Sequence, residues 1–250
     1  MLDRIRHGEI LELHLARPPV NALNGELLVA LREAITAAPG EGVRALLISG
    51  GPKVFSAGLD VPHLLTLERD ALESTWREFF GVCEALARSP LPSVAAIGGH
   101  SPAGGAVISL FCDYRVMARG PFNIGLNEVQ VGLVVPECIQ FALRRLIGTY
   151  RAERLLVSGS MIDSEHAHAI GMVDELADVD HVITRAVAWV SDLLKLPSKA
   201  MHATRGIARA DLIENISDPS RLDLPRFLDE WYSEDTQSVL RSLVARLKAK

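Results

Sequence analysis

Two short turns of small residues and one isolated acid are the features of this chain that could support chemistry. The turns are residues 55–60, Phe-Ser-Ala-Gly-Leu-Asp, and residues 99–105, Gly-His-Ser-Pro-Ala-Gly-Gly. Each follows an apolar segment that predicts a strand, and alanine and glycine let a ligand approach the backbone closely. Two N–H groups directed at one carbonyl oxygen would form an oxyanion hole. Glu128, in the segment 124–128, would then be placed to move protons on the carbon next to that carbonyl.

The pattern of apolar residues predicts the strands that position these turns. In residues 11–15, leucines alternate with Glu12 and His14, which predicts a strand with one buried and one polar face. Residues 45–48 and 94–97 are fully apolar and predict buried strands. The two turns follow these last two segments.

Helical periodicity fills the spaces between the predicted strands. Asn24 is a predicted N-cap for a helix ending near Gly40, and apolar residues recur at helical spacing over 72–87. Another helix is expected at 106–111. This recurrence of strand, turn and helix predicts an α/β core.

After residue 173 the pattern is nearly all helical. The last predicted helix carries an apolar stripe, made of Val239, Leu240, Leu243, Val244 and Leu247.

Composition sets the class of protein. With 250 residues, 48% of them hydrophobic, the chain can form one large core or a core with a small appendage. The net charge of -5 gives no support for nucleic-acid binding. No segment approaches the roughly 18 uninterrupted apolar residues that a membrane span needs, and no targeting signal is recognised at either end, so a cytoplasmic setting is expected. The three cysteines, Cys83, Cys112 and Cys138, are predicted to be buried thiols.

The same segments argue against other chemistries. Residues 99–103 have the strand-turn-helix context of a serine-hydrolase elbow, with Ser101 as the nucleophile. In that mechanism the next residue donates its N–H to the oxyanion, and here Pro102 has none. His166 and His168 lie two apart, which on a helix separates them, so no metal site is predicted. Phosphate-loop and dinucleotide fingerprints are absent, and no separate cofactor is expected.

Several stretches of the chain carry a family resemblance. They are residues 18–23, 54–60, 102–105, 112–115 and 124–128, continuing through 158–159 and 169–174. Through them the chain resembles the crotonase superfamily of acyl-CoA enzymes, and within it is most similar to the mitochondrial-type Δ3,Δ2-enoyl-CoA isomerases. The resemblance implies a crotonase-like spiral of repeated β-β-α units over residues 1–190, containing the acyl-CoA site. It also implies a helical region over 191–250 that is used in assembly of a homotrimer or a dimer of trimers.

The same resemblance implies roles for individual residues. The backbone N–H groups of Ala57 and Gly104 would bind the thioester oxygen. The substrate, in which CoA is included, would lie along Ala57, Gly58, Leu59 and Asp60, with Val20 and Ala22 flanking its pantetheine arm. The alternative for Gly104 and Gly105 is that they only permit close packing of a helix.

Glu128 would be the acid/base of the reaction. The alternative is a solvated loop glutamate, but the residues around it are apolar: Ile124, Leu126, Val129, Val131, Leu133 and Val134. Desolvation raises the pKa of a carboxyl group, which suits a residue that must both take and return a proton. Asn127 either orients this carboxylate or is a turn residue.

Val107 distinguishes this chain from the crotonase hydratases. The resemblance implies that a hydratase has two glutamates, one at position 128 and one on the helix after the oxyanion glycine, where this chain has Val107. A double-bond shift needs only one carboxylate, which moves a proton from C2 to C4. The expected reaction is therefore isomerisation of a 3-enoyl-CoA to the trans-2-enoyl-CoA in fatty-acid β-oxidation.

Glu137 leaves a second possibility open. At the start of a predicted helix it either stabilises the helix dipole or reaches the pocket as a second proton-transfer group. The alternatives to isomerisation are hydration or another crotonase-type reaction, a non-catalytic acyl-CoA binder, and an RNA-binding relative, because a fold does not fix function.

Overall fold

Strands and helices alternate along the first two-thirds of the chain. The computed structural model describes residues 1–248. The strands in these residues are β1 (Leu2–His7), β2 (Ile10–Leu15), β3 (Ala45–Ser49), β4 (Ser93–Ile97), β5 (Ser101–Pro102), β6 (Tyr114–Ala118), β7 (Asn123–Gly125), β8 (Ile162–Asp163) and β9 (Glu175–Ala177). The helices are α1 (Gly25–Ala37), α2 (Val61–Leu64), α3 (Arg69–Arg88), α4 (Gly104–Leu110), α5 (Glu137–Ile147), α6 (Thr149–Ser158), α7 (Ser164–Ala169), α8 (Val182–Leu193), α9 (Ser198–Ala208), α10 (Ala210–Ser217), α11 (Pro219–Leu222), α12 (Leu224–Trp231) and α13 (Glu234–Lys248).

Within residues 1–248, the larger sheet has six strands in the order β1-β2-β3-β4-β6-β9. The hairpin β1–β2 is antiparallel and the other pairs are parallel. Parallel neighbours need crossover connections, and α1, α3 and α4 lie in the crossovers that follow β2, β3 and β4. Asn24 caps α1 as predicted, because its side chain accepts a hydrogen bond from the Leu27 N–H. The α/β class is confirmed.

Short pairings between the crossovers form a second layer. Leu23 bridges Leu59, Val54 bridges His100, and β5, β7 and β8 make a small sheet. The Phe55 N–H donates to the His100 carbonyl at 2.9 Å. This repeated pairing brings the turns at 55–60 and 99–105 together, although residues 61–98 separate them in sequence.

Both faces of the large sheet are covered. The larger core includes Leu13 and Ile48 with the apolar faces of α1 and α3, and the second core includes Leu47 and Val94 with α8. Glu12, predicted on a polar face, is only 2% exposed. The Ser49 hydroxyl donates to its Oε1 at 2.5 Å, and a His7 ring nitrogen lies 2.6 Å from its Oε2. These hydrogen bonds from neighbouring strands explain the burial of a charged side chain.

The C-terminal part is helical except for one strand. The sequence pattern predicts nearly continuous helix after residue 173, but β9 (Glu175–Ala177) pairs with β6 at the sheet edge. A strand of three residues is too short to produce a recognisable alternation of apolar and polar residues. The predicted helix at the end is present as α13, where Leu240 is fully buried, whereas the Leu247 side chain lies outside what the structure describes. The boundary at residue 190 and the role in trimer assembly stay predictions.

Asp113 anchors the C-terminal helices to the sheet. Its carboxylate lies 2.9 Å from Nε of Arg205 and 3.0 Å from Nη1 of Arg209, and it also accepts the Ser93 N–H at 2.7 Å. Burial alone would raise the pKa of the Asp113 carboxyl, but the two guanidinium groups and Ser93 hold it below its usual range. The ion pairs therefore connect α9 and the start of α10 to the segment between α4 and β6.

We expect Asp113→Asn to destabilise the fold by about 3 kcal/mol, because it leaves two largely buried guanidinium groups without their counter-charge. Urea unfolding followed by circular dichroism measures the change. Asp229→Asn is the control, since Asp229 pairs with Arg69 on the surface and its loss should leave the midpoint nearly unchanged. Equal midpoints for Asp113→Asn and the parent would contradict the anchoring role.

Candidate active site

The two small-residue turns open onto one cavity of about 640 Å³. Its wall combines the predicted site residues with apolar side chains from several helices, among them α3, α12 and α13. The predicted residues that line it are Val20, Ala22, Ala57, Leu59, Asp60, Gly104 and Glu128. Gly58 lies behind this surface. A Cβ on Gly58 would sit 3.1 Å from the Gly104 nitrogen, and its φ of +81° is one that residues with side chains rarely adopt. The close contact between the two turns therefore requires glycine at position 58.

The backbone hydrogen bonds decide which amides face a substrate. The Ala57 N–H donates to the Val20 carbonyl at 2.9 Å, so it is not free for an oxyanion. The structure thus contradicts the oxyanion role predicted for Ala57. Within residues 1–248, the Leu59 N–H has no acceptor, although Leu59 lines the same cavity. No sequence signal marks this difference, because it depends on the pairing of residues 57–60 with residues 20–23.

Gly104 supplies a second free amide. It is the first residue of α4, and N–H groups in a first helical turn have no partner within the helix. Ala103 precedes it with φ of +45°, a conformation that is uncommon for a residue with a side chain. The Ala103 N–H donates to Gly125 O at 2.8 Å, which fixes the start of α4 against β7. The N–H groups of Leu59 and Gly104 are therefore the pair available to a carbonyl oxygen.

Glu128 contributes an acid to the same cavity. It begins a short 3-10 turn, Glu128–Val131, and it is half-buried. Its Oε2 is buried and has no hydrogen-bond partner within residues 1–248. Desolvation raises the pKa of this carboxyl from its usual 4.5 to about 7, and its own backbone amide partly opposes the rise. The group can therefore exist in both protonation states near neutral pH.

Asn127 does not orient this carboxylate. In the described part of the chain its side chain makes no hydrogen bond to Glu128, and its Oδ1 is buried without a partner. Asn127 directly precedes the 3-10 turn. Of the two interpretations left open by the sequence, the structure supports the turn residue.

Other acids near the cavity are neutralised or lie outside it. Asp60 pairs with Arg17 at 2.6 Å and caps α2 by accepting the His63 N–H. Glu137 pairs with Arg144 at 2.6 Å and with Arg221 at 3.0 Å, and it is not among the residues that line the cavity. At the position where a second glutamate would stand in a hydratase, Val107 lines the wall. Among the described residues, Glu128 is thus the cavity acid without a cationic partner.

Sequence reasoning missed much of the cavity wall. Aromatic residues on α3 and α12 and one leucine of α13 line it: Trp76, Phe79, Phe80, Phe227, Trp231 and Leu243. The Trp76 and Phe227 rings meet edge to face with centroids 4.5 Å apart. On α3 the sequence showed only a helical apolar stripe, which does not distinguish a core face from a cavity wall. The spacing of four between Phe227 and Trp231 on a short helix was the one local signal.

Ser101 is buried, and His100 makes structural contacts with neighbouring residues. Ser101 is completely buried, so its hydroxyl is closed to a substrate. His100 accepts the Asn123 N–H on Nδ1 at 3.0 Å and packs edge to face against Phe122. Serine-hydrolase chemistry at this turn is therefore excluded by burial as well as by Pro102.

Comparison with known proteins identifies the family. The profile described as Enoyl-CoA hydratase/isomerase matches residues 6–249. The chain belongs to this family. It is 30% identical over 236 residues to human mitochondrial enoyl-CoA delta isomerase 1, an alignment that covers 92% of this chain and 78% of the relative. It is also 34% identical over 207 residues to a probable enoyl-CoA hydratase, echA17, of Mycobacterium avium, covering 81% and 79%.

Solved structures give the same assignment. The crystal structure of human mitochondrial delta3-delta2-enoyl-CoA isomerase matches with a TM-score of 0.94 and 28% identity, covering 99% of this chain and 98% of that one. The enoyl-CoA hydratase EchA3 of Mycobacterium ulcerans matches with a TM-score of 0.83 and 29% identity, covering 90% and 98%. The predicted crotonase fold is confirmed, and the chain is an enzyme of the enoyl-CoA isomerase/hydratase type.

No helix within residues 1–248 is long and apolar enough to cross a membrane. In the same residues no group of three or more histidine, cysteine, aspartate or glutamate side chains is arranged to hold a metal ion. The cytoplasmic location and the absence of a cofactor stay predictions.

Glu128→Gln should change how stability depends on pH. The folded carboxyl has a pKa of about 7 and the unfolded one titrates near 4.5, so the folded state keeps a proton that the unfolded state releases. The parent therefore loses stability as pH rises through this window, by about 2 kcal/mol between pH 5 and pH 8. Glu128→Gln carries no such group and should be the more stable protein near pH 8. Urea unfolding at both pH values measures this, and parallel pH dependences would contradict the burial of the charge.

Proposed function

We propose that the chain isomerises 3-enoyl-CoA to trans-2-enoyl-CoA. The observation that carries this proposal is the combination, in one apolar cavity, of two free backbone amides and one carboxylate without a cationic partner. The amides belong to Leu59 and Gly104, and the carboxylate to Glu128. The name and fold of the human isomerase relative also support it. The reaction would serve fatty-acid β-oxidation, with CoA as part of the substrate.

The proposed reaction moves one proton and consumes nothing. The thioester oxygen accepts hydrogen bonds from the N–H groups of Leu59 and Gly104, which stabilise negative charge on it. The carboxylate of Glu128 removes a proton from C2, and the electron pair of that C–H bond forms the C1–C2 double bond of a dienolate. When the thioester carbonyl re-forms, the C1–C2 π pair moves to make C2=C3, and the C3=C4 π pair takes the same proton from Glu128 to form the new C–H bond at C4. A base with a pKa near 7 can perform both transfers.

Val107 favours isomerisation over hydration. Hydration needs a water molecule activated on one side and a second group that manages the proton, and an aliphatic side chain does neither. Hydration is still the second candidate, because mycobacterial relatives at 34% identity carry the name probable enoyl-CoA hydratase. The product distinguishes the two reactions: a 2-enoyl-CoA for isomerisation and a 3-hydroxyacyl-CoA for hydration. Assembly as a homotrimer or a dimer of trimers is proposed with the isomerase but does not enter this mechanism.

The proposed base is tested by turnover of 3-hexenoyl-CoA. We expect Glu128→Gln to lower kcat about 10²- to 10⁴-fold, the range for loss of a general acid–base group. Below about pH 7 the parent should also slow, because Glu128 must be ionised to take the proton. Glu137→Gln is the matched control and should stay within about threefold, since its side chain is paired with arginines outside the cavity. A Glu128→Gln variant with parental activity would remove the base from the mechanism.

Val107→Glu should introduce hydration. The new carboxyl would face the cavity that contains Glu128, giving the two acids that hydration uses. We expect at least about tenfold more 3-hydroxyacyl-CoA from a 2-enoyl-CoA than with the parent, a barrier change of about 1.4 kcal/mol. Val107→Gln introduces a side chain with the shape of glutamate but without the proton-transfer group, so it should show no gain in hydration. A folded Val107→Glu variant with no gain would show that the missing second acid is not what limits hydration.

A further inference from the structure

One buried side chain of the C-terminal helix α13 holds the turn that carries Glu128. Thr236, in the first turn of α13, is 3% exposed, and its hydroxyl donates to the Gly132 carbonyl at 2.7 Å. Gly132 ends the 3-10 turn that Glu128 begins, and its N–H returns to the Val129 carbonyl. The hydroxyl of Thr236 thus contacts the far end of a turn only four residues long.

The contact is close and its geometry is fixed on both sides. Gly132 has φ of +77°, and a Cβ there would lie 3.2 Å from Thr236 Cα and 3.3 Å from its Oγ1. On the helix side, the Ser233 hydroxyl accepts the Thr236 N–H at 3.3 Å, and the Gln237 side chain donates to the Trp231 carbonyl at 2.9 Å. The first turn of α13 is therefore anchored before Thr236 reaches Gly132.

A second contact holds the opposite side of the same turn. Gln130 donates from Nε2 to the Gly159 carbonyl at 2.8 Å, at the end of α6. Gly159 also permits close packing there, because a Cβ would approach Val129 Cγ2 to 2.8 Å. The turn is consequently held between α6, which belongs to the predicted core region, and α13, which belongs to the C-terminal region. Neither contact reaches the carboxylate itself, which is left free for substrate.

We propose that Thr236 is a positioning residue for Glu128, and that docking of α13 through this hydroxyl sets the catalytic turn in its working orientation. The proposal rests on the proposed function, in which Glu128 moves the proton. The same helix contributes Leu243 to the cavity wall. Docking of α13 therefore both completes the cavity wall and fixes the turn that carries Glu128. The position of the helix affects the reaction through the Thr236–Gly132 hydrogen bond.

The test replaces the hydroxyl and keeps the shape. Thr236→Val should lower kcat for 3-hexenoyl-CoA at least about tenfold with little change in KM, because a small displacement of a catalytic group is costly. Thr236→Ser retains the donor and should stay within about threefold of the parent. Thr75→Val is the matched control. Thr75 is also nearly buried and donates to Ala71 O at 2.9 Å within α3, but it does not line the cavity.

The pH profile separates positioning from a merely structural role. If the turn is released, water reaches Glu128, its pKa falls towards the usual value, and the acid limb of kcat/KM moves to lower pH. Loss of folded protein would scale the whole profile without moving the limb. Parental kcat and an unmoved limb in Thr236→Val, or an equal loss in Thr236→Ser, would overturn the proposal. If Thr236→Val does not fold, Thr236→Ala makes the same comparison.

A measurement without substrate distinguishes this proposal from the proposed function. Amide hydrogen exchange of residues 128–133 in the free protein should be faster in Thr236→Val than in the parent and in Thr75→Val. If the parent does not isomerise 3-hexenoyl-CoA, the proposed function fails, and the exchange rates still report on the Thr236 contact. If the parent isomerises the substrate and the exchange rates are equal, the proposal for Thr236 fails alone.

Discussion

The allocation of backbone hydrogen bonds between two crossovers is the constraint on which the site depends. The Leu23 N–H donates to Gly58 O at 2.8 Å, the Asp60 N–H to Leu23 O at 3.0 Å, and the Ala57 N–H to Val20 O. Once these three bonds form, the Leu59 amide is the one in this segment left over at the cavity. The activity proposed here uses that amide, so the pairing of residues 20–23 with 57–60 is part of the chemistry and not only of the fold.

Burial of Glu128 creates an opposing requirement. A carboxylate with a buried, unpaired oxygen destabilises the folded state when it is ionised, and nothing in residues 1–248 pairs with its Oε2. The fold accommodates this because the surrounding turn is fixed by Gly132 and Gly159 through backbone carbonyls. Those contacts hold the turn without bringing a positive charge near the acid. A guanidinium placed there, as Arg17 is beside Asp60, would lower the pKa and weaken the base.

The sequence predicts local features well and pairings poorly. The N-cap at Asn24, the long helix now bounded as Arg69–Arg88, and the strands near 45–48 and 94–97 follow from capping and periodicity. Glu12 was predicted on a polar face because alternation does not reveal hydrogen bonds from Ser49 and His7 on neighbouring strands. For the site, Glu128 was found from its apolar neighbours and from family resemblance, since its desolvation is largely local. One of the two oxyanion amides was predicted at Ala57, where the structure favours Leu59, because the acceptor that occupies the Ala57 N–H is the carbonyl of Val20, more than 30 residues away.

The similarity of this chain to both isomerases and hydratases is consistent with different roles for the backbone and the side chains. In the proposed reaction the backbone supplies the amides for the thioester oxygen, and backbone geometry is similar in solved structures of both kinds, with TM-scores of 0.94 and 0.83. Side chains then decide what happens at the carbons beyond the carbonyl. At 30% to 34% identity, overall likeness does not separate the two reactions. In the proposed reaction the difference lies in a few side chains: Val107 lines the wall where a second acid would stand, and Asp60 and Glu137 are paired with arginines. Glu128 would then move the proton alone.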